Sequence, residues 1–92
     1  MAPERFRVAI LAGDGIGPEV TGPCLEVLDA VGDTVGGFSL DYDPLEAGAA
    51  LYAATGESLP AETMKRAGDA DAVLLGAMGM PDIRYPDGTE IS

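Results

Sequence analysis

The 92-residue chain has no histidine, no tryptophan and a single cysteine, Cys24. Without histidine it lacks the side chain whose ordinary pKa lies near neutrality, and with it any imidazole metal ligand. One cysteine excludes an internal disulfide and provides no metal-ligand spacing. Cys24, inside a helical pattern, therefore reads as a small buried apolar residue of a protein from a reducing compartment. Positive charge is scarce, since Arg5, Arg7, Lys65, Arg66 and Arg84 stand against 16 acidic residues and leave a net charge of −11. Nucleic acid and anionic membranes both need clustered Lys or Arg, so neither is expected as a partner. No apolar run approaches membrane-spanning length, and residues 1–7 lack the apolar centre of a secretion signal, which points to a cytoplasmic protein. The length admits one small domain.

What the chain does have is glycine, and its densest cluster organises the rest. Residues 11–20, LAGDGIGPEV, join an apolar run to an amphipathic segment and read as the turn from a buried strand into a helix. Gly13, Gly15 and Gly17 let the backbone take positive φ and approach whatever lies above the strand. Pro18 suits the first helical turn, where it has no needed N–H to lose. The pattern is GxGxG, whereas a dinucleotide fingerprint needs its third glycine one position later, where Pro18 stands. Asp14 and Glu19 flank the helix N-terminus, where acids favour the helix and repel a pyrophosphate.

The hydrophobic pattern continues as an α/β alternation. A strand is expected over residues 6–11 and a helix over 18–31, with Val20, Cys24, Val27, Leu28 and Val31 on its buried face and Gly32 as its stop. Phe38, Leu40 and Tyr42 alternate with Ser39, Asp41 and Asp43 as a strand nearer an edge. Helical segments follow over residues 45–54, ending before Gly56, and over 60–67, and then a buried strand over 72–77. Residues 78–92 are rich in Gly, Pro and Asp, show no period, and read as a loop in which Arg84 and Asp87 are solvated charges. Right-handed crossovers give a three-stranded, mostly parallel sheet in the order 2-1-3 with flanking helices. A chain closing in mid-loop reads as a piece of something longer.

Three stretches, LAGDGIGPEV, AGAALYAATGESLPAET and ADAVLLGAMGMPDIRYPDGTEI, together resemble the N-terminal part of the isocitrate and isopropylmalate dehydrogenase family, nearest its isopropylmalate-type members. The resemblance covers nearly the whole chain in order. Ala12 stands where many members have proline, Ala50 where related sequences often carry an acid, and the IRYPDGTEIS loop differs from the shorter loop common in isopropylmalate enzymes. The resemblance implies a fold distinct from the Rossmann type, in which residues 1–92 form the N-terminal part of the large α/β domain. It also implies an NAD-dependent oxidative decarboxylation of a 2-hydroxy acid, linked to leucine biosynthesis, by a homodimer whose cleft is completed by the second subunit. In such chemistry hydride leaves the hydroxyl-bearing carbon, a base takes the hydroxyl proton, and Mg²⁺ or Mn²⁺ stabilises the enolate as CO₂ departs.

By the same resemblance, the turn with Gly15 lies beside the cofactor, Ile16 packs near the nicotinamide ribose, and Met80, Thr89, Glu90 and Ile91 line the nicotinamide end of NAD. No residue here matches the family's catalytic groups or metal-binding aspartates, so this segment is expected to be inactive alone. NADP stays open as the cofactor, and isopropylmalate, isocitrate, tartrate and malate stay open as substrates. Two other readings stand beside this one. A free-standing nucleotide-binding α/β module would bind NAD by itself. A non-catalytic chain that lends its sheet to a partner would show a large exposed apolar face on the third strand.

Overall fold

The computed structural model describes residues 4–91, so that Ser92, the last residue of the expected loop, lies outside the described residues. Its elements are β1 (Glu4–Gly13), α1 (Gly17–Val35), β2 (Phe38–Pro44), α2 (Ala49–Thr55), α3 (Ala61–Asp69) and β3 (Ala72–Ala77). The strands form one parallel sheet in the order β2-β1-β3, as the relative apolarity of the three runs predicts. Val8, Ala9, Ile10 and Leu11 in the central strand are buried, because β1 alone has a neighbour on each side.

The parallel register assigns the two faces. Val8 lies beside Tyr42 and Ala72, and Ile10 beside Leu74, on the face that α1 covers. There the Tyr42 hydroxyl donates to Asp29 of α1 (2.8 Å), and a Cβ on Gly32 would rest against the Phe38 ring at 3.7 Å. Burial and the charge of Asp29 push the Tyr42 hydroxyl up to about 12. The opposite face carries Arg5 and Arg7 of β1, Asp41 and Asp43 of β2, and Val73 and Leu75 of β3. The Arg5 guanidinium pairs with Asp41 (3.0 Å), and Arg66 of α3 pairs with Asp43.

Three expectations need correction. Helix α1 runs past Gly32 to a cap at Gly36, because Gly36 (φ +70°) and not Gly32 takes the positive φ that reverses the chain. The expected apolar face is turned by about a sixth of a turn: Gly17 and Thr21 are buried and Cys24, Leu25 and Leu28 half-buried, whereas Val20, Val27 and Val31 are exposed. Cys24 is accordingly half-buried rather than buried. Small residues let α1 sit close on the strands, and this outranks the pull of the valines. Helix α2 begins at Ala49 rather than near residue 45, for a reason that lies in the site.

Candidate functional site at the carboxyl edge of the sheet

The turn after β1 and the loop after β3 both leave the carboxyl ends of parallel strands, the edge at which open α/β sheets gather ligands. The turn is fixed by close backbone approach. A Cβ on Gly17 would lie 1.9 Å from the Ala12 carbonyl oxygen, and one on Gly13 would lie 2.1 Å from that of Ala77. Gly15 has φ +55° but nothing within 4 Å of its Cβ position, so the crowding that the glycine cluster suggests belongs to Gly13 and Gly17. Gly15 contributes only its conformation.

Asp14 is the centre of this edge. Its residue is only 3% exposed, and its carboxylate accepts three backbone N–H groups: Ala49 (2.6 Å) and Gly79 (2.8 Å) at Oδ2, and Ala50 (2.9 Å) at Oδ1. Its own N–H donates to the Ala77 carbonyl and its own carbonyl accepts from Gly17, each at 2.7 Å. The sequence places Asp14 as an acid at the start of α1; the structure turns it to the start of α2 instead. Gly48 precedes that helix at φ +117°, where a Cβ would meet Asp14 Oδ2 at 2.5 Å, and this is why α2 starts at Ala49. Burial pushes the Asp14 carboxyl up, but the N–H groups of Ala50, Gly79 and Ala49 together outweigh it and hold the pKa below the ordinary value.

The segment after β3 is ordered rather than patternless. Tyr85 N–H donates to Thr89 O (3.0 Å) and Gly88 N–H to Tyr85 O (2.8 Å), a hairpin turn built on Pro86, Asp87 and Gly88 (φ +90°). Asp87, expected as an isolated charge, accepts both the N–H (3.0 Å) and the hydroxyl (2.7 Å) of Thr89, which lowers its pKa. Arg84, expected to be solvated, donates to the carbonyls of Pro81 (3.1 Å) and Gly88 (3.2 Å) and pairs with Glu90 at 3.8 Å. Tyr85 stacks edge-on against Tyr52 of α2 with ring centroids 5.2 Å apart.

Met80, Glu90 and Ile91 meet around one depression of about 260 Å³, completed by Met78, Gly79 and Pro81. Thr89 is turned into the hairpin through Asp87. Gly15 and Ile16 stand on the neighbouring turn and do not line this depression, although Ile16 is 62% exposed there. Asp14, Gly48 and Gly79, which tie turn and loop together, escape a sequence reading; the one signal they give is an acid set among glycines with no cation near it in sequence.

The edge suits an uncharged, hydroxyl-bearing ligand better than a phosphate. It offers an exposed isoleucine, a loop methionine and isoleucine, and the Glu90 carboxylate as a hydroxyl acceptor. All four arginines are engaged: Arg5 with Asp41, Arg7 with the Arg66 carbonyl (3.3 Å), Arg66 with Asp43, and Arg84 with its own loop. Among the described residues no three His, Cys, Asp or Glu side chains gather in a position to hold a metal ion. No helix among them is long and apolar enough to cross a membrane.

Comparison with known proteins follows the same outline. A model of the isocitrate/isopropylmalate dehydrogenase family matches residues 7–90. The 3-isopropylmalate dehydrogenase of Synechococcus sp. (strain JA-3-3Ab) is 49% identical over 84 residues, covering 91% of this chain and 21% of that protein. That of Haemophilus influenzae (strain 86-028NP) is 44% identical over 78 residues, covering 85% and 22%. The apo crystal structure of a β-decarboxylating dehydrogenase from Thermococcus kodakarensis superposes with a TM-score of 0.71 at 34% identity, covering 88% of this chain and 23% of that one. The chain thus spans about a fifth of the length of the curated relatives it matches.

Proposed function

The chain belongs to the isocitrate/isopropylmalate dehydrogenase family, and from that membership we propose that it forms the N-terminal part of the large domain of an NAD-dependent, β-decarboxylating dehydrogenase of the 3-isopropylmalate type. Its share of the work is one wall of the cofactor cleft. The observation that carries this reading is the joining of the GDGIG turn to the loop after β3 through one buried carboxylate, with Met80, Glu90 and Ile91 around a single depression. In this reading Ile16 and the loop side chains bear on the nicotinamide ribose, Glu90 accepts a ribose hydroxyl, and Gly15 keeps the turn open beneath it. Thr89 acts indirectly, by holding the hairpin through Asp87.

Bound at this edge, NAD would supply the hydride acceptor. The residues described here orient its reactive end and shield it from water, while the base, the cations for the substrate carboxylates and the ligands of Mg²⁺ or Mn²⁺ come from other polypeptide. The engaged arginines support that division of labour, because a dicarboxylate or a pyrophosphate needs free guanidinium or ammonium groups. The remainder of the reading follows the family: a homodimer, cytoplasmic, acting in leucine biosynthesis, with NADP and other 2-hydroxy acids as the alternatives to be tested.

A second reading draws on a specific observation. Val73 and Leu75 on β3 are 50% and 60% exposed, the apolar face expected of a chain that lends its sheet to a partner. A chimaera separates the two. Residues 7–90 would replace the matching segment of the Haemophilus influenzae 3-isopropylmalate dehydrogenase, and NAD reduction would be followed with 3-isopropylmalate and Mg²⁺. Turnover by the chimaera and none by the 92-residue chain is the expected result. Activity of the chain unaided, or a folded chimaera without turnover, would refute the proposed function.

A further inference from the structure

We propose that Asp14 is a positioning residue for the dinucleotide, setting the spacing between the turn that carries Ile16 and the loop that carries Met80. The proposal rests on the reading of this edge as a cofactor wall. Asp14 touches neither wall through an exposed atom; it works through backbone. Its side chain gathers N–H groups from residues 35, 36 and 65 positions away in sequence, so one carboxylate joins three segments at once, adding to the bond from its own N–H to the Ala77 carbonyl and to the Tyr52–Tyr85 ring contact. No cation lies among its partners, so its charge is balanced by oriented amides alone.

The chemistry demands this residue in particular. Three donors converge on two oxygens, and an amide in place of the carboxylate would turn an N–H group against at least one of them. The carboxylate in turn requires glycine at position 48, where a Cβ would fall 2.5 Å from Oδ2. With the backbone of Asp14 closed onto Ala77 and Gly17, the side chain is the part that transmits position outward to Gly79 and so to Met80. Its loss should leave the sheet in place and let the two walls move apart.

Amide hydrogen exchange on the full 92-residue chain tests the tie directly. In the wild type, the Ala49, Ala50 and Gly79 amides should exchange as slowly as those of Ala9 and Ile10, although none has a backbone acceptor in a helix or strand ladder; rapid exchange at all three while Ala9 and Ile10 stay protected would overturn the proposal without any variant. In Asp14→Asn, exchange at Gly79 should rise about tenfold or more, as for one lost hydrogen bond to a charged group, with Ala9 and Ile10 unchanged. Equal acceleration at Ala9 and Ile10 would make Asp14 a general stability residue and overturn the positioning role. In the chimaera, Asp14→Asn should raise KM for NAD about tenfold while kcat and KM for 3-isopropylmalate stay within about twofold. A fall in kcat at unchanged KM for NAD would also overturn it. An inactive unmutated chimaera would refute the dehydrogenase reading instead, and the exchange pattern would still decide whether Asp14 holds the two segments together.

Discussion

At the carboxyl edge of the sheet a buried carboxylate gathers three amides, a hairpin closes on its own arginine, and the glycines admit backbone to backbone contact. Along the outer surface of α1, by contrast, Val20, Val27, Val31 and Val35 stand exposed, and β3 presents Val73 and Leu75 in the same way. The polar matching of these residues is self-contained, and their apolar matching is not. In the proposed reading, that contrast is what a cofactor wall asks of a segment of a larger core: the site geometry is set locally, while further hydrophobic stabilisation would come from covering the exposed apolar surfaces.

The contrast can be attacked at the edge first, where the largest effect is expected. Gly17→Val puts a side chain 1.9 Å or closer to the Ala12 carbonyl, a backbone contact that cannot be relieved by a rotamer change. A loss of more than about 3 kcal/mol, the upper end for overpacking, is expected in urea unfolding. In a domain this small that amounts to unfolding. A stable Gly17→Val protein would show that the turn is not held as described.

Acid is the next lever. The folded-state pKa of Asp14 lies below its unfolded value, so its contribution to stability is full above the ordinary carboxylate pKa of about 3.9 and disappears as pH falls through the lower folded value. The thermal midpoint should therefore fall between pH 4 and pH 2 (approximate bounds), and Asp14→Asn should flatten that fall. A profile identical in the variant would mean that other carboxylates carry the acid sensitivity.

Gly15 should respond more mildly than Gly17 because only its φ of +55° is at stake. Gly15→Ala should cost about 1 kcal/mol and Gly15→Asn less, since asparagine tolerates the left-handed region, as read from chemical denaturation. Equal costs for Gly15→Val and Gly17→Val would contradict the assignment of crowding to Gly17. On the outer surface the effect should be smallest. Val27, 62% exposed, should change stability by no more than about 0.5 kcal/mol when replaced by serine, while light scattering shows less self-association. A large loss of stability there would mean that the valine face is already covered.

Much of the fold is legible in the sequence because it follows from local rules. The two most apolar strands are neighbours, Pro18 stands in the first turn of α1, and Gly56 (φ +86°) ends α2. What stays hidden depends on contacts distant in sequence. Gly32 looks like a helix stop, but the positive φ comes only at Gly36, and the start of α2 is fixed by Asp14 from 35 residues away. On helix α1, Cys24 and Leu28 lie between two possible faces, and periodicity alone cannot say that the side with Gly17, Thr21 and Leu25 rather than the side with Val20, Val27 and Val31 meets the strands. The hairpin at residues 84–90 was signalled by Pro86, Asp87 and Gly88, a turn sequence inside a stretch that otherwise lacks a pattern. Of the candidate site residues, Met80, Glu90 and Ile91 are brought together by that hairpin, and Ile16 reaches the same edge by way of the glycine turn.

The central claim, that this edge is a preformed wall of a dinucleotide cleft, is tested most directly by a crystal structure of the chimaera with NAD. The account predicts the nicotinamide ribose between the Ile16 side chain and the loop bearing Met80, Glu90 and Ile91, with the Asp14 carboxylate still bound to the Ala49, Ala50 and Gly79 amides. NAD seated away from both the turn and the loop, with that edge open to solvent, would contradict it.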